Sequence, residues 1–173
     1  MNKLAALLIS FCIFFSNAST YASEPRFIDL KFILNQSTAG KKAQDSLKKK
    51  LESGNSKIKS KEKKIQEEEA QIIKQKKIIS AEEYKKKVNE LRKKVAGIQN
   101  ERKKLLDSVA LERSKSRSVL LKNLNPLMQD YMKQNNVRII IDKNSVLLAD
   151  EKLDITKDIM KTLNDKLKSI KFN

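Results

Sequence analysis

The chain has 173 residues, with 38 Lys plus Arg against 21 Asp plus Glu, a formal charge of +17, no His, no Trp and one Cys. Without His the commonest general base and metal ligand are missing, so triad hydrolases and His-based metal sites are excluded. Three Gly and two Pro leave no glycine-rich phosphate loop, and 34% charged with 5% aromatic residues describes long exposed helices rather than an enzyme core.

Residues 1–22 (MNKLAALLISFCIFFSNASTYA) begin with Lys3, run apolar from Leu4 to Phe15 and end in small or polar residues. Twelve apolar residues are too few for a membrane span, which needs about 20 in a helix. The pattern predicts a secretory signal peptide, cleaved after Ala22 or alternatively after Ala18. Cys12 follows Phe11 rather than the small residue of a lipoprotein signal. Removal of the segment leaves a chain without disulfides, held by packing or oligomerisation.

Arg26 to Leu34 (RFIDLKFIL) is β-prone at its start. A basic insertion follows. Residues 36–122 hold 26 Lys or Arg against 12 Asp or Glu, a net of +14, whereas 23–35 and 123–173 together net only +2. Leu51, Ile58, Ile65, Ile72 and Ile79 recur every seven residues, and Tyr84, Val88, Leu91, Val95, Ile98, Leu105 and Val109 alternate by four and three around Arg102. These are coiled-coil seams, and together they predict a helical hairpin. Ser80 with Glu83 three residues on reads as a capping box, which places the tip near 79–83.

Laid antiparallel with residue numbers summing to 160, the seams put Leu51 opposite Val109, Ile65 opposite Val95 and Ile72 opposite Val88. The same register levels Glu68 with Arg92, Lys59 with Glu101 and Lys48 with Glu112. Gly54, Lys61, Glu68 and Gln75 occupy the second stripe of the first arm, so that stripe is narrow. Gly54 and Gly97 read either as tolerated surface glycines or as bending points.

Beyond the arms, Asn125-Pro126 opens a predicted helix over 126–135. Val137 to Asp142 is a branched strand, Lys143-Asn144 a turn, and Ser145 to Ala149 a third strand. Thr156 starts a last helix with Ile159, Met160, Leu163, Leu167 and Ile170 on one face. The expected fold class is α+β, a small β-rich oligomerisation body (23–35 and 123–173) carrying a long helical hairpin (36–122). Short strands from one copy expose edges and bury little, which predicts an intertwined oligomer whose body includes Phe27, Ile28, Val137, Ile139, Ile141, Val146 and Leu148.

FIDLKFILNQSTAGKKAQDSLKK at 27–49, ISAEEYKKKVNEL at 79–91 and NPLMQDYMKQNNVRIIIDKNSVLLADEKLDITKDIMKTLN at 125–164 resemble the Skp/OmpH family of periplasmic chaperones. The strand–Asp–Lys–Asn–strand followed by D-I-T is the most specific part. The resemblance implies a periplasmic homotrimer whose three arms enclose a cavity for unfolded outer-membrane proteins, without ATP, cofactor or active site. Client contact is then expected near the tip, at Lys74, Lys77, Tyr84, Lys85, Lys86, Lys87 and Arg92. Lys outnumbers Arg 22 to 4 in the arms, which suits loose, unspecific contact. One alternative is an envelope-surface coiled coil drawn to anionic lipid. Another is nucleic-acid binding, which the basic charge permits. The signal segment, the single aromatic in the arms and the lack of a reading module oppose it.

Overall fold

The structure is a computed structural model that describes residues 24–171. The signal segment expected at 1–22, with Cys12, lies outside the described residues. In chain order the elements are β1 (Arg26–Ile28), α1 (Leu30–Gln36), α2 (Thr38–Gln75), α3 (Ala81–Gln134), β2 (Ile140–Asp142) and α4 (Thr156–Lys166). Single 3-10 turns lie at Lys143–Ser145 and Glu151–Leu153.

Asp29 ends β1 after three residues, because its Oδ1 accepts the Phe32 N–H at 2.7 Å and starts α1. Ser37 then separates α1 from α2. Its backbone is extended, and its Oγ accepts the Gly40 N–H at 3.2 Å. A Cβ on Gly40 would stand 2.3 Å from the Leu34 carbonyl oxygen, so only glycine fits this break. At 1.5 Å per residue the 38 residues of α2 span about 57 Å and the 54 of α3 about 81 Å. Lys76 to Ser80 form the hairpin tip, and Ser80 Oγ accepts the Glu83 N–H at 3.2 Å, as the sequence predicts.

The excess length of α3 runs into the body. The expected separate helix over 126–135 is its last part, and Pro126 sits inside it rather than at a start. Proline leaves the Lys122 carbonyl without its helical donor. Both residues are exposed, so water can take that bond. The helix stops at Asn136, whose φ of 52° lets the Val137 N–H reach back to the Met132 carbonyl at 2.9 Å. This is a Schellman stop. Val137 is its apolar clasp, buried beside Met132, and not the start of a strand, which begins at Ile140.

The β-rich body is corrected to a mostly helical one. Its sheet has two strands, paired in parallel as Arg26↔Ile140, Phe27↔Ile141 and Ile28↔Asp142. The third expected strand, 145–149, does not form. Asp142 Oδ1 accepts the Asn144 N–H at 3.0 Å and turns the chain away from the sheet, leaving Leu147 and Leu148 fully in solvent. The core is built instead from Ile28, Ile33, Ala39, Leu120, Leu124, Leu127, Ile155, Ile159 and Leu163. The segments on either side of the hairpin and the base of the hairpin therefore meet in one cluster. Phe27 and Ile28, assigned to the oligomerisation body, are buried within this chain.

Candidate interaction surfaces

The D-I-T segment and the first strand lock together. The Ile155 N–H donates to the Phe27 carbonyl at 3.0 Å, and the Asp29 N–H donates to Thr156 Oγ1 at 2.8 Å. Asp154 Oδ1 accepts the Thr156 N–H at 2.9 Å, and its other oxygen takes Lys143 Nζ at 3.0 Å. Lys143 also stands 5.7 Å from the centre of the Phe27 ring. Burial pushes the Asp154 carboxyl up, but its bonds to Thr156 and Lys143 outweigh that and hold it below the usual range. The Asp154 hydrogen bond and charge raise Lys143. This junction joins residues more than 120 apart in sequence.

Around it the body leaves an apolar face open. Phe32, Ile139, Ile141, Leu147 and Leu148 are exposed, and Val146 is half-buried. Of the predicted oligomer residues, then, Ile139, Ile141, Val146 and Leu148 lie on the outside, while Phe27, Ile28 and Val137 lie within.

In the arms the apolar seam runs as expected. Ile58, Ile72, Leu91, Ile98 and Val109 are buried, and Ile65 and Val95 line one cleft between the helices. The charge partners differ from the expected ones by two residues. Lys61 binds Glu101 at 2.5 Å, Lys94 binds Glu68 at 2.6 Å and Lys87 donates to Gln75 at 2.9 Å. Arg102 reaches Glu62 at 2.6 Å, and Lys50 bonds Glu112. Lys59 follows the seam residue Ile58 by one position and points outward, whereas Lys61, three on, faces the partner helix. The narrow stripe of polar residues is thus a ladder, with rungs at 61, 68 and 75 meeting 101, 94 and 87.

Gly54 has a specific role in this seam. A Cβ there would stand 2.4 Å from Leu105 Cδ2, so the leucine packs directly on the backbone of α2. Gly97 has nothing within 4 Å and lies on an open face. The bending-point reading fails for Gly54, which is a close approach inside an unbroken helix.

Near the tip, Lys74, Lys77, Lys85, Lys86 and Arg92 are exposed. Lys87 is engaged with Gln75, and Tyr84 is half-buried with Lys76 Nζ 5.6 Å from its ring centre. Those two help close the hairpin. Sequence reading missed the exposed apolar residues of the arms: Ile73 at 59%, Ile78 at 83%, Leu106 at 53% and Leu111 at 56%. The signal was present, since Ile73, Ile78 and Leu106 each adjoin a seam residue, and a neighbour of an inward position must point outward.

The fold has a solved counterpart. A proposed OmpH-like outer-membrane chaperone from Caulobacter crescentus CB15 superposes with a TM-score of 0.81 at 18% identity. The match covers 87% of this chain and 89% of that one. No curated protein matches the sequence. The family model for outer membrane proteins of the OmpH-like type matches residues 26–163, and the chain belongs to that family.

Proposed function

We propose that the protein is an ATP-independent periplasmic holdase, a homotrimer whose arms surround unfolded outer-membrane β-barrel proteins and prevent their aggregation. Family membership and the likeness to a proposed chaperone support a chaperone role. The observation that carries the finer reading is the pairing of unburied Ile73, Ile78, Leu106 and Leu111 with a +14 surplus on the same two helices. Isolated apolar side chains offer weak contacts to an unfolded client, and mobile lysine charges attract acidic segments without fixing a geometry. Binding of this kind is loose enough to release without a nucleotide. Lys74, Lys77, Lys85, Lys86 and Arg92 are the cations placed for first capture. The open face formed by Phe32, Ile139, Ile141, Leu147 and Leu148 is the surface we assign to trimer contact.

The test is dilution of a urea-unfolded outer-membrane barrel into the purified protein, with complex mass and turbidity followed by light scattering. A soluble complex containing three copies of the chain is expected. Deleting 41–118 and rejoining the body is expected to abolish protection. An armless body that protects equally well overturns the arm mechanism.

A second reading has its own observation. Ile78 stands almost fully exposed at the tip, among Lys74, Lys76, Lys77, Lys85 and Lys86. An apolar point ringed by lysines suits an anionic membrane surface. Co-sedimentation with anionic but not zwitterionic vesicles, lost on Ile78→Ser, would support it.

A further inference from the structure

At the junction of arm and body, α1, the first turns of α2, the later half of α3 and the turn after β2 line a half-open cavity of about 660 Å³. That volume lies within the range of about 300–1,000 Å³ usual for ligand sites. Leu34, Ala43, Leu47 and Leu120 supply apolar lining. Lys31 from α1 and Arg113 and Arg117 from α3 stand on its rim, the two arginines one helical turn apart.

Three features bear on what this cavity can hold. Lysine dominates the arms, yet two of their four arginines, at 113 and 117, gather here. Guanidinium groups hold carboxylates in a fixed, two-point geometry that ammonium groups do not. None of the three rim cations pairs with a carboxylate among the described residues, so each is available to an incoming anion. The one acid on the rim, Asp142, is turned to its own loop, its Oδ1 accepting from the Asn144 backbone and side chain at 3.0 and 2.9 Å.

We infer that this cavity binds an acidic, apolar peptide segment, its carboxylate held by Arg113, Arg117 and Lys31 and its neighbouring apolar side chain seated on Leu34, Ala43, Leu47 and Leu120. Asn35 and Gln44, also on the lining and joined only by a long 3.4 Å bond, offer polar groups to a peptide backbone, which a plain fatty acid would not use. The inference rests on the holdase reading and gives it a defined anchoring point at the base of the arms.

The probe is a fluorescent, end-blocked decapeptide with two Asp residues set between Leu and Phe, compared with its Asn twin by fluorescence anisotropy on the purified protein. The acidic peptide should bind at least about tenfold more tightly, as a charge-assisted pair requires. Arg113→Gln with Arg117→Gln should erase that difference while leaving helix content by circular dichroism unchanged, since both side chains are exposed. Arg113→Lys with Arg117→Lys should keep the preference for acid but weaken it. Equal affinity for the two peptides, or an unchanged difference in the Gln variant, overturns the inference. So does arginine-dependent binding of dodecanoate without binding of the peptide, or a photo-crosslinker at Ala110 that captures a second copy of the chain instead of the peptide. Barrel aggregation measured in parallel separates the two readings. Protection without peptide discrimination removes the cavity site alone, and discrimination without protection removes the holdase reading while the site stands.

Discussion

In the body, Ile33, Leu124 and Leu163 have lost all contact with water, whereas in the arms Val95, a seam residue, keeps 43% of its surface. The body brings the segments on either side of the hairpin and the hairpin base into a single apolar cluster, and each fully buried aliphatic side chain contributes about 1.5–3 kcal/mol. The arms have one thin apolar stripe and a row of polar rungs, each half exposed and worth about 0–1 kcal/mol. The two regions share one helix, α3, yet are held by different forces. The body is sealed by burial, and the arms are fastened by contacts that are individually weak.

The sharpest way to break this comparison is one substitution in each region. Leu124→Ala should cost about 2–5 kcal/mol, seen as a lowered denaturant midpoint for the whole molecule, because the cavity lies where α3 enters the core. Ile65→Asp should strip hydrogen-exchange protection from α2 and the facing part of α3 while the body keeps its own. Equal loss of protection in both regions would show a single cooperative unit and end the distinction.

How far the sequence carried these conclusions follows the same division. Seven-residue spacing made the arm seam readable, and Ser80 with Glu83 made the cap at the tip readable, because both depend on local geometry. The polar rungs were visible as residues but not as a ladder, since pairing depends on which heptad position faces the partner. The body was harder. RFIDLKFIL is β-prone at its start, where β1 forms, but its apolar residues Leu30, Ile33 and Leu34 fit a helical face, and Asp29 sets the boundary by capping α1. Val137 looked like a strand residue because its role as the clasp of a helix stop needs the positive φ of Asn136, which no hydrophobic pattern reports. The cavity at the arm base draws on three helices and could not be read from any one of them.

The two arm glycines sharpen the comparison at the scale of one methyl group. Gly97→Ala meets open space and should stabilise the arm by up to about 1 kcal/mol through helix propensity. Gly54→Ala gains the same propensity but drives its Cβ to 2.4 Å from Leu105 Cδ2, which must shift. The thin seam lets that leucine move, so the gain should be cancelled rather than reversed strongly. Gly54→Leu should overpack the contact and cost about 1–3 kcal/mol. Arm stability can be followed by exchange of the amides around Leu105. Equal stabilisation by the two alanines would show that the close approach is unimportant.

Salt should divide the regions by a smaller margin. Raising ionic strength from about 0.15 to 1 M shortens the screening length from about 8 to 3 Å. The Lys61–Glu101 and Glu68–Lys94 rungs should weaken and arm amides should exchange faster, while body amides hold or slow because apolar burial is not screened. Charge reversal of both partners, Lys61→Glu with Glu101→Lys, should restore most of what either single change removes. A double variant no better than its parents would deny the ladder a part in closing the arms.

The smallest expected effect lies where β1 meets the start of α4. Asp154 titrates below its ordinary value of 3.8, since the bonds from Thr156 and Lys143 outweigh its burial. A carboxyl lowered by folding stabilises the folded state above its ordinary value, and that contribution is lost as the pH falls through the lowered one. Lys143, raised by the hydrogen bond and charge of Asp154, adds its share below the ordinary lysine value of 10.5 and loses it only as the pH rises through the raised value. The pair is therefore intact across the neutral range, and its first loss comes on the acid side. Asp154→Asn keeps an oxygen for the Thr156 N–H but removes the charge. Its stability should fall below that of the parent at neutral pH and converge with it below the ordinary carboxylate range, by denaturation at a series of pH values. A difference that stays constant down to a pH of about 2 would mean that the Asp154 charge does not help hold β1 to α4, leaving the Asp29–Thr156 and Phe27–Ile155 hydrogen bonds to join them.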